Sequence, residues 1–106
     1  MQIQVNTDRN IEGSVALTRQ SEEIVTRILD RFSDQITRVE LHLRDENSAS
    51  RETSNDKRCM LEVRLAGQQP ISVTENADTV EQAITGAARK AVSALDTALG
   101  RQSRRD

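Results

Sequence analysis

Two pairs of basic residues are the side chains in this sequence best suited to binding chemistry. Arg27 and Arg31 stand four positions apart, so on a helix they lie one turn apart on one flank. Arg89 and Lys90 lie off the apolar stripe of a second helical segment. If the two helices pack side by side, these cations could converge and contact phosphates without reading bases. On spacing alone, the simpler interpretation is a solvated helix surface in which neighbouring carboxylates pair with the cations. Those carboxylates are Glu23, Asp30 and Asp96.

The single histidine and the single cysteine do not indicate a catalytic or metal site. His42 alternates with charged residues on the polar side of a strand segment, so we expect an exposed strand residue and not a general base. Cys59 is in phase with Leu61 on the apolar side, which predicts a small core residue without an activated thiol. One cysteine and one histidine are too few for the usual zinc site. The 4 glycines are widely separated and form no phosphate loop, so we predict no enzyme, no cofactor and no small-molecule substrate.

The composition limits the classes of protein to which the chain can belong. A length of 106 residues suits one domain, and a net charge of −2 neither demands nor excludes a nucleic-acid partner. Phe32 is the only aromatic residue, which argues against modules that stack bases on aromatic side chains. The lone cysteine fits a reducing compartment. With no apolar run long enough to span a bilayer and no signal pattern at the start, we predict a cytoplasmic protein without a membrane partner.

The periodicity of apolar residues predicts four strands and two helices. Alternation of apolar and polar residues predicts strands at 1–7, 36–44, 58–65 and 71–75. Apolar spacings of three and four predict a helix that begins after Ser14, its N-cap, and ends near Phe32. The second helix is predicted between a capping-box-like start at Asp78 and Glu81 and a C-terminal glycine, Gly100.

The order β-α-β-β-β-α predicts an α+β fold. Each strand has one apolar face, so both helices should cover one side of a four-stranded mixed sheet. The first crossover contains a helix, so the first two strands should be parallel with a right-handed connection. The last three strands should form an antiparallel meander. We predict one domain over residues 1–100, followed by a frayed basic tail at 101–106.

The polar run DENSASRETSNDKR, from Asp45 to Arg58, could be a domain boundary or a loop inside one domain. Segments with the same alternation flank the run on both sides, and neither could bury its apolar face alone. We therefore predict that the run is the hairpin loop between the second and third strands. A polar loop of this length is usually mobile or functional, and we expect it to be the most mobile internal segment.

Three stretches of sequence, together with the element order, resemble a known family. They are MQIQVNT at the start, LDRFSDQITRVELHL around the second strand and TVEQAITGAARK in the second helix. The most specific piece is an Ala-Ile pair followed six residues after the Ile by a Lys, here Ala83, Ile84 and Lys90. From Met1 to about Leu99 the chain resembles the ribosome hibernation promoting factors, also called sigma-54 modulation or ribosome-associated inhibitor proteins.

The resemblance implies a partner, a function and a set of site residues. The implied fold is similar to a double-stranded-RNA-binding domain, and the implied partner is the small ribosomal subunit with its rRNA. The implied function is silencing of translation under stress or in stationary phase, through contacts from both helices to rRNA phosphates. Lys90 matches a family lysine, and Arg27 lies where a first-helix lysine is common. Arg89 and Arg101 are neighbours on the same surfaces, and Arg31 completes the expected RNA-binding set.

The sequence departs from the family pattern in the second helix. Short members usually carry a dense basic run there, whereas this chain reads SALDTALG. Each lost phosphate contact reduces affinity for RNA. The alternative function is a protein–protein module of the same fold, which would use the exposed sheet face around Met60 to bind a partner or to self-associate weakly.

Overall fold

The computed structural model describes residues 1–8, 11, 13–46 and 56–103, and within them it confirms the predicted order of elements. The strands are β1 (Gln2–Thr7), β2 (Ile36–Asp45), β3 (Lys57–Leu65) and β4 (Ile71–Ala77). The helices are α1 (Val15–Leu29), which a short 3₁₀ helix (Asp30–Phe32) continues, and α2 (Val80–Ser103).

The four strands form one mixed sheet in the order β1-β2-β3-β4, as the alternation predicts. β1 pairs with β2 in parallel, with Ile3 opposite Val39, and the other two pairings are antiparallel. Leu61 stands opposite Leu41 on one side and opposite Val73 on the other. Because residues in register point to the same side of a sheet, the apolar positions of all four strands share one face.

Both helices cover this apolar face and bury it. The largest fully buried side chains come from the two middle strands and both helices: Leu29, Leu41, Leu43, Leu61, Ile84 and Leu95. On α2, the buried stripe consists largely of alanine, which lets the helix approach the sheet closely. Its members are Ala83, Ala87, Ala88 and Ala91. Cys59 lies inside this core with no exposed area, and burial raises the pKa of its thiol to about 12.

The helix starts follow from capping side chains, one of them at a different residue from the predicted one. The Ser14 hydroxyl accepts a hydrogen bond from the Leu17 amide at 3.0 Å, which confirms the N-cap of α1. At α2 the hydroxyl of Thr79 accepts from the Gln82 amide at 3.1 Å, so the N-cap is Thr79 and not Asp78. α2 also continues through Gly100 to Ser103. Among the described glycines, only Gly67 has the positive φ, 73°, that ends helices and forms tight turns.

The described ends of the polar run confirm a hairpin connection. β2 and β3 pair as far as Asp45 opposite Lys57, and the Glu46 amide donates to the Asp56 carbonyl at 2.8 Å. The Lys57 ammonium contacts Asp56 at 3.1 Å and Asp45 at 3.2 Å. Its hydrogen bond to Asp56 is the main cause that raises the pKa of Lys57. Residues 47–55 lie outside the described part, so the mobility of the loop stays a prediction.

The cap of α2 can be tested by removing one hydroxyl. Thr79→Ala leaves the first-turn amide of α2 without its acceptor, so we expect it to lower the free energy of unfolding by about 1 kcal/mol. Thr97→Ala is the matched control, because Thr97 lies within α2 and its hydroxyl contacts only the Ser93 carbonyl at 3.1 Å. That change should be neutral or slightly stabilising. Urea unfolding measures both, and equal losses would contradict the assignment of the cap.

The buried thiol gives a pH dependence with a definite sign. The pKa of Cys59 is raised from 9.0 to about 12 in the folded chain, so the unfolded chain loses the thiol proton first as pH rises. The contribution of Cys59 to stability is complete below pH 9 and is lost between pH 9 and pH 12. Between pH 8 and pH 10 the wild type should lose more stability than Cys59→Ala does, on the order of 1 kcal/mol. Urea unfolding at the two pH values measures the difference, and parallel losses would contradict it.

Candidate nucleic-acid interface

The two helices lie side by side and run in the same direction. Near their starts, Gln20 of α1 donates to Glu81 of α2 at 3.2 Å. Near their ends, Arg31 beyond α1 contacts Asp96 of α2 at 2.6 Å. We call the exposed surface between these two contacts the helix seam. It lies on the side of the molecule opposite the uncovered face of the sheet.

Arg27 and Arg89 both lie along the helix seam. Arg27 is one turn before Arg31 and two turns after Gln20, so it projects from the flank of α1 that faces α2. Arg89 is two turns before Asp96 on the corresponding flank of α2. Both side chains are exposed, and neither has a hydrogen bond or an ion pair within the part of the chain that the structure describes. Two guanidinium groups are therefore available to an anion at one surface.

Arg31 also lies at the helix seam, but a carboxylate holds it. Its Nη2 atom contacts both carboxylate oxygens of Asp96 at 2.6 Å. The guanidinium carbon lies 4.6 Å from the centre of the Phe32 ring, within reach of a cation–π interaction. The side chains of Arg31 and Asp96 are 60% and 57% exposed, so this is a surface ion pair of small net energy. One of the three predicted partners of the cations, Asp96, is confirmed.

Lys90 lies away from the helix seam, above the edge strand β4. One residue along a helix is a rotation of about 100°, which moves Lys90 from the flank of Arg89 to the side over the sheet. Its ammonium donates to the Thr74 carbonyl at 2.8 Å and contacts Glu75 at 3.3 Å. The side chain of Arg101 lies outside the described part. The structure thus groups three of the predicted arginines and separates Lys90 from them.

Glu75 is a charged residue on the helix-facing side of β4, and the sequence analysis did not single it out. Its carboxylate lies against α2 at Gly86, where an added Cβ would come within 2.5 Å of Oε2. With any larger residue at this position, the Glu75 side chain would have to shift. The sequence does indicate an inward charge here, because Ile71, Val73 and Glu75 alternate on the inward face and the third of them is acidic. An inward charge on an edge strand also discourages pairing with another sheet.

The uncovered face of the sheet carries charges that largely satisfy one another. Arg38 contacts Glu40 at 3.1 Å, and Arg64 contacts Glu62 at 2.9 Å. Glu40 stands opposite Glu62, and Arg38 stands opposite Arg64. Each arginine is therefore neutralised by the glutamate of its own strand. His42 stands opposite Met60, both half-buried. Among the described residues, Arg44 is the only arginine on this face without an ion pair or a hydrogen bond. The helix seam has two such arginines, Arg27 and Arg89.

The described residues show neither a metal site nor a membrane helix. Among them, no group of three or more His, Cys, Asp or Glu side chains is placed to hold a metal ion. None of their helices is long and apolar enough to cross a membrane.

Fold and surface together define an α+β domain whose two parallel helices present basic side chains on one side of a mixed sheet. The chain belongs to the family described as sigma 54 modulation protein / S30EA ribosomal protein, whose model matches residues 4–103. The match covers nearly all of the elements described above and confirms the family resemblance that the sequence indicates.

Solved structures similar to this chain share its fold along nearly the whole length. The N-terminal domain of Protein Y from Thermus thermophilus is 24% identical, with a TM-score of 0.67, over 95% of this chain and 98% of that chain. A ribosomal subunit interface protein from Coxiella burnetii is 20% identical, with a TM-score of 0.69, over 98% of this chain and 99% of that chain. No curated protein sequence matches this chain significantly.

The ion pair at the end of the helix seam can be measured by a double-mutant cycle. Arg31→Gln and Asp96→Asn should show a coupling free energy of about 0.5 kcal/mol, because the pair is exposed to solvent. The coupling should fall as sodium chloride is raised to about 1 M, where charges are screened within a few ångströms. The cycle of Arg27→Gln with Asp96→Asn is the control and should show almost no coupling. Urea unfolding of all variants gives both values, and equal coupling in the two cycles would contradict the described pairing.

Proposed function

We propose that this protein binds the small ribosomal subunit through contacts to rRNA phosphates and silences translation under stress or in stationary phase. The observation that carries the proposal is the position of Arg27 and Arg89, two exposed guanidinium groups at one surface with no partner among the described residues. Family membership supports the ribosome as the partner. The similar fold of a protein named as a ribosomal subunit interface protein agrees with it. A cytoplasmic location goes with this partner.

The chemistry of the helix seam favours phosphate contacts over base recognition. A guanidinium group presents several N–H donors in one plane and stays charged at any physiological pH, which suits phosphate oxygens. Base stacking needs exposed aromatic rings, and the only aromatic residue, Phe32, is buried. Binding of this kind follows the shape and charge density of folded RNA, and it weakens steeply with salt. Arg27, Arg89 and Arg31 would supply the contacts at the seam, and Lys90 and Arg101 those beside it.

The proposal can be tested by sedimentation with purified ribosomal subunits across a salt series. Arg27→Glu and Arg89→Glu should each weaken binding to the small subunit by about tenfold or more, because a phosphate contact is replaced by a repulsion. Arg44→Glu is the matched control: it makes the same change of charge at an exposed residue on the uncovered sheet face. That control should bind within about twofold of the wild type, since its charge lies on the opposite side of the domain.

Three outcomes would contradict parts of the proposal. If the wild type sediments with neither subunit at low salt, ribosome binding is wrong. If Arg44→Glu weakens binding and the seam variants do not, the sheet face is the interface. If the protein binds the small subunit but leaves translation in a cell-free extract unchanged, the silencing role is wrong.

A further inference from the structure

The basic residues of the proposed interface are accompanied by acidic partners that belong to this chain. Arg31 and Lys90 would each have to leave a carboxylate before they could contact an RNA phosphate fully. The carboxylate of Asp96 lies 2.6 Å from Arg31, and that of Glu75 lies 3.3 Å from Lys90. Arg27 and Arg89 have no such partner in the described part. Among the described basic residues of the proposed interface, two arginines are therefore available and two cations are restrained.

We propose that Asp96 and Glu75 are affinity-setting residues, which restrain Arg31 and Lys90 and thereby weaken the binding of RNA. This inference rests on the proposed function, because it concerns the same surface and the same phosphate chemistry. RNA must displace each carboxylate to gain a contact, and the displaced carboxylate then lies beside the phosphate and repels it. Binding is thus conditional on low ionic strength or on a dense arrangement of phosphates.

The contacts of Asp96 make it a direct competitor of a phosphate. Both of its oxygens meet one guanidinium nitrogen, and no other basic group contacts this carboxylate within the described residues. The guanidinium carbon of Arg31 also lies 4.6 Å from the centre of the Phe32 ring, within reach of a cation–π interaction. A phosphate that replaced the carboxylate would find an arginine already oriented toward the helix seam. Removal of the negative charge of Asp96 should therefore convert Arg31 from a restrained cation into a phosphate ligand.

Glu75 restrains Lys90 through a close fit between β4 and α2. Gly86 lies one turn before Lys90 on α2, and its missing side chain makes room for the carboxylate. The side chain of Glu75 therefore lies along the helix and meets the ammonium at 3.3 Å. The Thr74 carbonyl accepts from the same ammonium at 2.8 Å, so Lys90 is held over the edge strand by two oxygens. A charge held there projects less freely toward a ligand outside the domain.

The test measures affinity for the small ribosomal subunit as a function of salt for two neutral variants and one control. Asp96→Asn and Glu75→Gln should each bind about two- to fivefold more tightly than the wild type, the range expected when a surface ion pair no longer competes. The slope of log affinity against log salt should steepen by about one for each restored phosphate contact. Glu22→Gln is the control, because Glu22 is an exposed α1 residue on the side away from α2. It removes the same charge and should change affinity by less than about 1.5-fold, since its charge is remote from the seam and screened by salt.

Two further variants separate the release of a restrained cation from a general effect of charge. Gly86→Ala keeps every charge, but its Cβ would come within 2.5 Å of the Glu75 carboxylate, so that side chain must shift, and we expect the shift to weaken its contact with Lys90. We expect Gly86→Ala to tighten binding in the same direction as Glu75→Gln, while α2 gains helix propensity and the fold is retained. In an Arg31→Gln background, Asp96→Asn should give no gain, because no restrained cation remains at that position.

The outcomes distinguish this inference from the proposed function. If the protein binds through Arg27 and Arg89 but Asp96→Asn and Glu75→Gln behave like Glu22→Gln, only the restraint is overturned. If Asp96→Asn tightens binding equally with and without Arg31, the effect is general charge repulsion and the restraint is again overturned. If neither the wild type nor any variant binds either subunit at low salt, both proposals fall together. Circular dichroism of each variant shows whether the fold is intact.

Discussion

Burial of one face of the sheet against both helices is the constraint on which the rest of this structure depends. The parallel pairing of β1 with β2 requires a crossover, and α1 supplies it on the side where Leu41 and Leu61 must leave water. After β4 the chain has only the same apolar side to cover, so α2 packs beside α1. The helices are therefore parallel neighbours because the sheet has a single apolar face. The helix seam therefore follows from the packing of the core and needs no further interaction to form it.

The small residues of α2 determine how the charges above the core are arranged. Alanines such as Ala87 and Ala91 let the helix lie close to the sheet, and Gly86 admits the carboxylate of an edge strand beneath it. A bulkier residue at position 86 would force Glu75 outward, away from Lys90. The small residues that let α2 pack against the sheet therefore also determine which of its basic side chains are held by a carboxylate. The close packing of α2 and the restraint of Lys90 therefore depend on the same few residues.

The periodicity of apolar residues was sufficient to predict the fold, whereas the pairing of surface charges was not. Alternation and helical spacing are local signals, and both follow from which side of an element must be buried. The residue types do not determine the exact N-cap of α2, because Asp78 and Thr79 both suit that role, and the hydrogen bond from the Gln82 amide to the Thr79 hydroxyl identifies Thr79. Glycine favours helix ends, which predicts an end at Gly100, although glycine also continues a helix at a modest cost. Sequence adjacency suggests one surface for Lys90 and Arg89, yet neighbouring residues on a helix point in different directions.

The net charge of −2 is a poor guide to whether this chain can bind a polyanion. Screening in physiological salt limits the reach of an exposed charge to about 8 Å, so RNA senses the residues at the interface and not the whole-chain total. Many acidic residues are already neutralised elsewhere, as Glu40 and Glu62 are on the uncovered sheet face. At the helix seam the balance is finer, since Asp96 pairs with Arg31 on the same surface as Arg27 and Arg89, which have no partner among the described residues. Under the proposed function, the competition between that carboxylate and a phosphate for Arg31 is therefore the local quantity expected to decide how tightly the seam would hold RNA.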